Sequence, residues 1–105
     1  MNILFVCSRN KWRSPTAEAI YKGRQDHQVK SAGTEPSAKI RVSVKDILWA
    51  DLIFVMEKKH KQRLLEKFPN ETGHKKIIIL DIEDEYTYMD KELIDMIKLS
   101  VDAYL

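Results

Sequence analysis

Ile3-Leu4-Phe5-Val6-Cys7-Ser8-Arg9-Asn10-Lys11-Trp12-Arg13-Ser14-Pro15 is the stretch on which the reading of the chain turns. Its first four residues form a short apolar run of the kind that suits a strand buried on both faces. Ser14-Pro15 has the form of a helix start, a capping residue followed by proline at the first helical position. A thiol therefore stands where a strand ends, an arginine follows six residues later, and a helix begins directly behind.

Each part of that arrangement has a physical use. A loop between a strand end and a helix start turns successive backbone N–H groups inward as a nest for an oxyanion, and the helix dipole adds positive potential. The same field favours thiolate over thiol, and only the thiolate is a good nucleophile. Arg13 presents a planar fork for two phosphoryl oxygens. Ser14 is placed to donate its hydroxyl to the sulfur, with a plain helix cap as the competing role. Asn10 accepts a left-handed backbone more readily than most residues, which a tight loop needs somewhere. Arg9, Lys11 and Trp12 are expected to point outward, with Lys11 read as a solvated surface lysine ahead of a contact to acidic flanks of a ligand. The plain alternative is that Cys7 is a small buried hydrophobe ending a strand and Arg13 a surface cation.

Working outward, Leu52 to Met56 and Ile77 to Leu80 repeat the short apolar pattern of Ile3 to Val6, and Gln28 to Ser31 is a weaker, half-polar strand. Glu57 to Phe68 reads as a helix with Met56, His60, Leu64 and Phe68 or Leu65 on one face; His60 is taken as a packing residue there. Lys91 to Leu105 reads as the closing helix, capped by Asp90. Ser37 to Ala50 fits either a short helix or an irregular crossover. Alternating strands and helices predict an α/β fold: a single three-layer domain over residues 1–105, with a four-stranded, mainly parallel sheet covered on both faces. In such sheets ligands sit at the carboxyl ends of the strands, where Cys7 lies.

Composition narrows the rest. A chain of 105 residues, 44% hydrophobic and 32% charged, has room for one core and is not disordered in character. A net charge of +2 with mixed signs does not indicate a nucleic-acid binder. One cysteine excludes an internal disulfide, and no Cys/His group has zinc-ligand spacing, so no metal or other cofactor is expected. No run approaches membrane-spanning length and none has the form of a signal peptide, so the expected compartment is the cytoplasm.

Val6-Cys7-Ser8-Arg9-Asn10-Lys11-Trp12-Arg13-Ser14-Pro15-Thr16-Ala17-Glu18 resembles the signature of the low-molecular-weight protein tyrosine phosphatases, Val-Cys-x-Gly-Asn-x-Cys-Arg-Ser-Pro-x-Ala-Glu, at the same place in the chain. The similarity continues through Ser31-Ala32-Gly33-Thr34 and Ala50-Asp51-Leu52-Ile53-Phe54-Val55-Met56-Glu57. The resemblance implies that fold (a flavodoxin-like architecture) and a phosphomonoester hydrolase acting through a phosphocysteine on Cys7. It also implies an element before the last helix that supplies the general acid and an aromatic wall. Asp84-Glu85-Tyr86 fits it, with Asp84 as acid, Asp81 as runner-up, and Tyr86, with Tyr88 as a weaker second, against the substrate. Arg13 and Ser8 to Trp12, with Ser14, would hold the phosphoryl group.

Arg9 replaces the family's glycine, Trp12 its second cysteine and Glu85 its proline, and the region between Gly33 and Ala50 is shorter. A phosphorylated protein or a small phosphoester is the implied partner, with no nucleic acid and no membrane; oligomeric state is not encoded in these motifs. A phosphoprotein-binding module without turnover, or an arsenate reductase that borrows an external thiol, remain the alternative readings.

Overall fold

The computed structural model describes all 105 residues. Four strands, β1 (Asn2–Cys7), β2 (Gln28–Gly33), β3 (Leu52–Val55) and β4 (Lys76–Ile79), pair in the order β2-β1-β3-β4, every pair parallel. β1 is central because it is apolar on both faces. Ile3, Phe5 and Cys7 look one way, and Leu4 and Val6 the other, as a period of two requires.

The first face is covered by α1 (Arg13–Tyr21) and α5 (Lys91–Val101), which contribute Ala17, Tyr21, Leu93, Ile97 and Val101 to one core layer. The second is covered by α2 (Val44–Trp49) and α3 (Lys58–Lys67), whose Ile47 and Leu64 meet Leu4, Val6, Ile53 and Val55, with Phe68 just beyond α3. Tyr21 donates to Asp102 at 2.6 Å, tying α1 to the chain's final turn. This is the expected three-layer α/β arrangement, and its sheet is wholly parallel. No helix is long and apolar enough to cross a membrane.

Boundaries differ from the sequence expectation where local chemistry intervenes. The ambiguous Ser37–Ala50 stretch holds the short helix α2, started by a capping box in which Ser43 accepts from the Asp46 N–H and Asp46 accepts from the Ser43 N–H. Directly after Phe68, Pro69 opens a further turn, α4 (Pro69–Thr72). The closing helix gives way to a 3-10 turn at Asp102–Tyr104. β2 runs on to Gly33 because it pairs with β1 as far as Cys7. The chain leaves β1 towards β2 on one side and returns to β3 on the other, so Cys7 lies at the point where the strand order reverses.

Candidate active site

Residues 8–12 form the loop between β1 and α1, and its polarity is set by its neighbour. The carbonyls of Cys7, Ser8 and Arg9 accept from the N–H groups of Thr34, Glu35 and Lys39 at 2.9, 2.9 and 3.0 Å. Within the loop the Ser8 and Arg9 carbonyls are thus engaged, while no N–H from Ser8 to Trp12 donates to a protein acceptor. Unpaired N–H groups in such a loop suit an anion nest. Asn10 makes the turn possible with φ of 55°. Gly33 admits the close approach: a Cβ there would lie 2.5 Å from the Ser8 carbonyl oxygen and 2.9 Å from the Asn10 nitrogen.

Cys7 is 3% exposed, at the bottom of a cup of about 50 Å³ that it shares with Arg9, Lys11, Trp12, Arg13 and Asp84. The Ser14 hydroxyl lies 3.0 Å from its sulfur. Asn10 Nδ2 donates to Ser14 Oγ and to Ser31 Oγ, both at 2.9 Å, and Ser31 Oγ donates to Glu18 at 2.5 Å. Because Ser14 Oγ already accepts from Asn10, its own proton is directed to the sulfur, or to the more distant Ala32 carbonyl at 3.4 Å. A helix-capping role for Ser14 is thereby corrected: α1 begins at Arg13, Trp12 occupies the cap position without a side-chain bond, and Ser14 lies inside the first turn.

Arg13 is fully buried, and its Nη1 donates to Glu57 Oε2 at 2.5 Å and to the Ile82 carbonyl at 2.8 Å. Nη2 has no protein acceptor, which leaves it for a group in the cup. Asp84 Oδ1 stands 3.7 Å from Nε, and Asp84 is exposed. Asp81 does not reach the cup; with φ of 61° it lines a separate hollow beside Glu57, Lys58 and Glu83. Tyr86 is not brought to the cup either, and packs against the α1/α5 core layer instead. Tyr88 faces a groove beyond Trp12.

The sequence reading passed over Glu57, His60, Ser31 and Glu18 as parts of the site. Burial pushes the Glu57 carboxyl up, but the Arg13 hydrogen bond and charge outweigh it, so that it sits below the usual carboxylate range. His60 is fully buried and lies 2.8 Å from Ser8 Oγ through Nε2, while Nδ1 accepts from the Glu57 N–H at 3.0 Å. A neutral ring accepting at Nδ1 carries its proton on Nε2, so His60 donates to Ser8 and leaves the Ser8 proton free. Burial, reinforced by the Arg13 charge, holds its pKa down to about 4. The detectable signal for Glu57 was a carboxylate two residues past the end of β3, at the same sheet edge as Cys7.

Comparison with known proteins agrees with this geometry. A family profile described as low molecular weight phosphotyrosine protein phosphatase matches residues 2–50. Over that N-terminal stretch the chain is similar to that family. A protein-arginine-phosphatase of Bacillus subtilis (strain 168) is 26% identical over 131 aligned positions, covering 99% of this chain and 85% of that protein. Among solved structures, Vibrio vulnificus Wzb in complex with benzylphosphonate superposes with a TM-score of 0.79 at 23% identity, over 98% of this chain and 95% of the other. A YwlE arginine phosphatase variant with a phosphorylated active-site serine superposes with a TM-score of 0.74 at 22% identity, over 99% and 96%. These two likenesses establish the shared fold.

Proposed function

We infer that this chain is a cysteine-dependent phosphomonoester hydrolase that works on phosphorylated proteins in the cytoplasm. The observation that carries the reading is the cup itself: Cys7, its Sγ 3.0 Å from a hydroxyl donor, shares it with a buried guanidinium whose Nη2 is free, beside a loop whose N–H groups are unpaired.

The chemistry proceeds in two steps. Cys7 sulfur forms a bond to phosphorus as the bond to the leaving oxygen breaks, and Asp84 gives that oxygen its proton. Asp84, now a carboxylate, takes a proton from water, whose oxygen displaces the sulfur and releases inorganic phosphate. Ser14 donates to the sulfur as attacker and as leaving group. The loop N–H groups and Arg13 stabilise the charge on the three equatorial oxygens, usually the largest contribution in reactions of this kind.

The similar proteins act, by their names, on phosphoarginine or phosphotyrosine proteins, and the cup's phosphoryl chemistry is common to both. Hydrolysis of an aryl phosphate, a phosphotyrosine peptide and a phosphoarginine peptide by wild type and by Cys7→Ser tests the reading. Turnover in wild type and none in the variant is expected; equal rates in both overturn it.

A further inference from the structure

The cup over Cys7 is too small for more than a phosphoryl group, since its roughly 50 Å³ corresponds to only a few water-sized atoms. The residue that carries the phosphate, and the chain on either side of it, must therefore lie across the rim. That rim is not symmetrical in charge. On one side Asp81, Glu83 and Glu57 mix with Lys58 and Lys59 around a hollow of about 490 Å³. On the other, Lys11 and Trp12 form a shared edge between the cup and a groove of about 600 Å³ along α1.

Trp12, Pro15 and Tyr88 give the groove apolar walls, and Lys11, Lys22 and Lys39 ring it with cations. None of these three lysines makes an ion pair within the protein, and Lys11 rests 4.6 Å over the Trp12 ring. Lys11 and Lys39 also border a second hollow with Arg9 and Ser37, so that positive charge continues around the edge of the loop. The one acid in the groove, Glu18, is engaged by the Ser31 hydroxyl. Volume and charge together suit a peptide segment carrying carboxylates, with an apolar or aromatic side chain between Trp12 and Tyr88.

We propose that this groove is a specificity subsite for acidic residues flanking the phosphorylated residue of a protein substrate. The proposal rests on the phosphatase reading for its link to turnover. Recognition is by unpaired cations over apolar walls, next to but separate from the cup, so it discriminates between peptides and is blind to a small aryl phosphate.

The test compares three peptides that share one phosphorylated residue and carry acidic, neutral or basic flanks, together with an aryl phosphate, on wild type and the Lys22→Glu/Lys39→Glu double variant. Wild type is expected to show kcat/KM at least about fivefold higher for the acidic than the neutral peptide, the scale of one to two exposed ion pairs, with the preference shrinking at high salt. The double variant should lose or reverse that order while its aryl phosphate turnover stays within about twofold of wild type. Equal rates for acidic and neutral peptides in wild type, or a variant that slows every substrate alike, would overturn the proposal. The same peptides are also titrated onto Cys7→Ser: if wild type hydrolyses nothing, the hydrolase reading fails, and the order of the peptide affinities still decides the subsite.

Discussion

Arg13 and Glu57 are joined at 2.5 Å beneath the floor of the cup, although 44 residues separate them in the chain. Together with the Ile82 carbonyl, Glu57 occupies Nη1 completely and so fixes which edge of the guanidinium meets a ligand. Glu57→Gln keeps the shape and loses the charge; kcat/KM is expected to fall roughly tenfold, the scale of a charge-assisted hydrogen bond reduced to a neutral one. Steady-state kinetics on an aryl phosphate checks it, and an unchanged value would show that Arg13 orients itself.

Two groups give stability a pH dependence of the same sign. Glu57 has a folded pKa below its ordinary value, so its contribution is complete above the unfolded carboxyl pKa of about 4.3 and is lost as pH falls through the lower folded value. For His60 the folded value is about 4 against 6.5, so between these the unfolded chain binds the extra proton and stability rises with pH. Above 6.5 the curve should be flat with respect to both. The His60 contribution is on the order of 2–3 kcal/mol, read as a rising denaturation midpoint from pH 4 to 6.5 that His60→Gln removes.

Ser14→Ala deletes the donor 3.0 Å from Cys7 Sγ and the acceptor of Asn10 Nδ2 together. A fall in kcat of about tenfold to a hundredfold, with KM changing less, is the expected pattern for a group that acts on the sulfur in the transition state. A pure rise in KM would place Ser14 in substrate binding alone.

Asp84→Asn should separate substrates by leaving group. Esters of acidic phenols need no proton and should lose little in the first step, whereas alkyl phosphates should lose about a hundredfold or more. A uniform loss across leaving groups would remove Asp84 from the acid role, and a parallel Asp81→Asn should leave the profile as in wild type.

Gly33→Ala brings a methyl group against the Ser8 carbonyl and the Asn10 nitrogen. The strain of such overpacking is about 1–3 kcal/mol, visible in thermal unfolding, and activity should fall further than stability alone explains because the loop that moves is the anion nest.

The strands and their order of appearance were legible because β1, β3 and β4 are short apolar runs with polar ends. Cys7, Arg13, Ser14 and Asn10 were legible because their spacing from the end of β1 is local. Glu57 and His60 were not: on a helix pattern His60 shares the apolar face with Leu64, and only the fold reveals that this face ends against Ser8. For Ser14 the thiol donor and the helix cap both stood open, since the cue for each is the same hydroxyl at the same place, and only the start of α1 at Arg13 removes the cap. Tyr86 was misplaced because the interval to the last helix sets position along the loop and says nothing of which way a ring turns. The α2 capping box, Ser43 with Asp46, was a signal in plain sight for a helix too short for periodicity to reveal.

In the proposed reaction Cys7 takes the phosphoryl group. Rapid quenching of the Asp84→Asn variant during turnover of an aryl phosphate, followed by mass mapping of the tryptic peptides, reads this directly. One added phosphoryl group on Cys7, formed before inorganic phosphate appears and absent from Cys7→Ser, is the predicted result; phosphate release with Cys7 unmodified at every time point would contradict it.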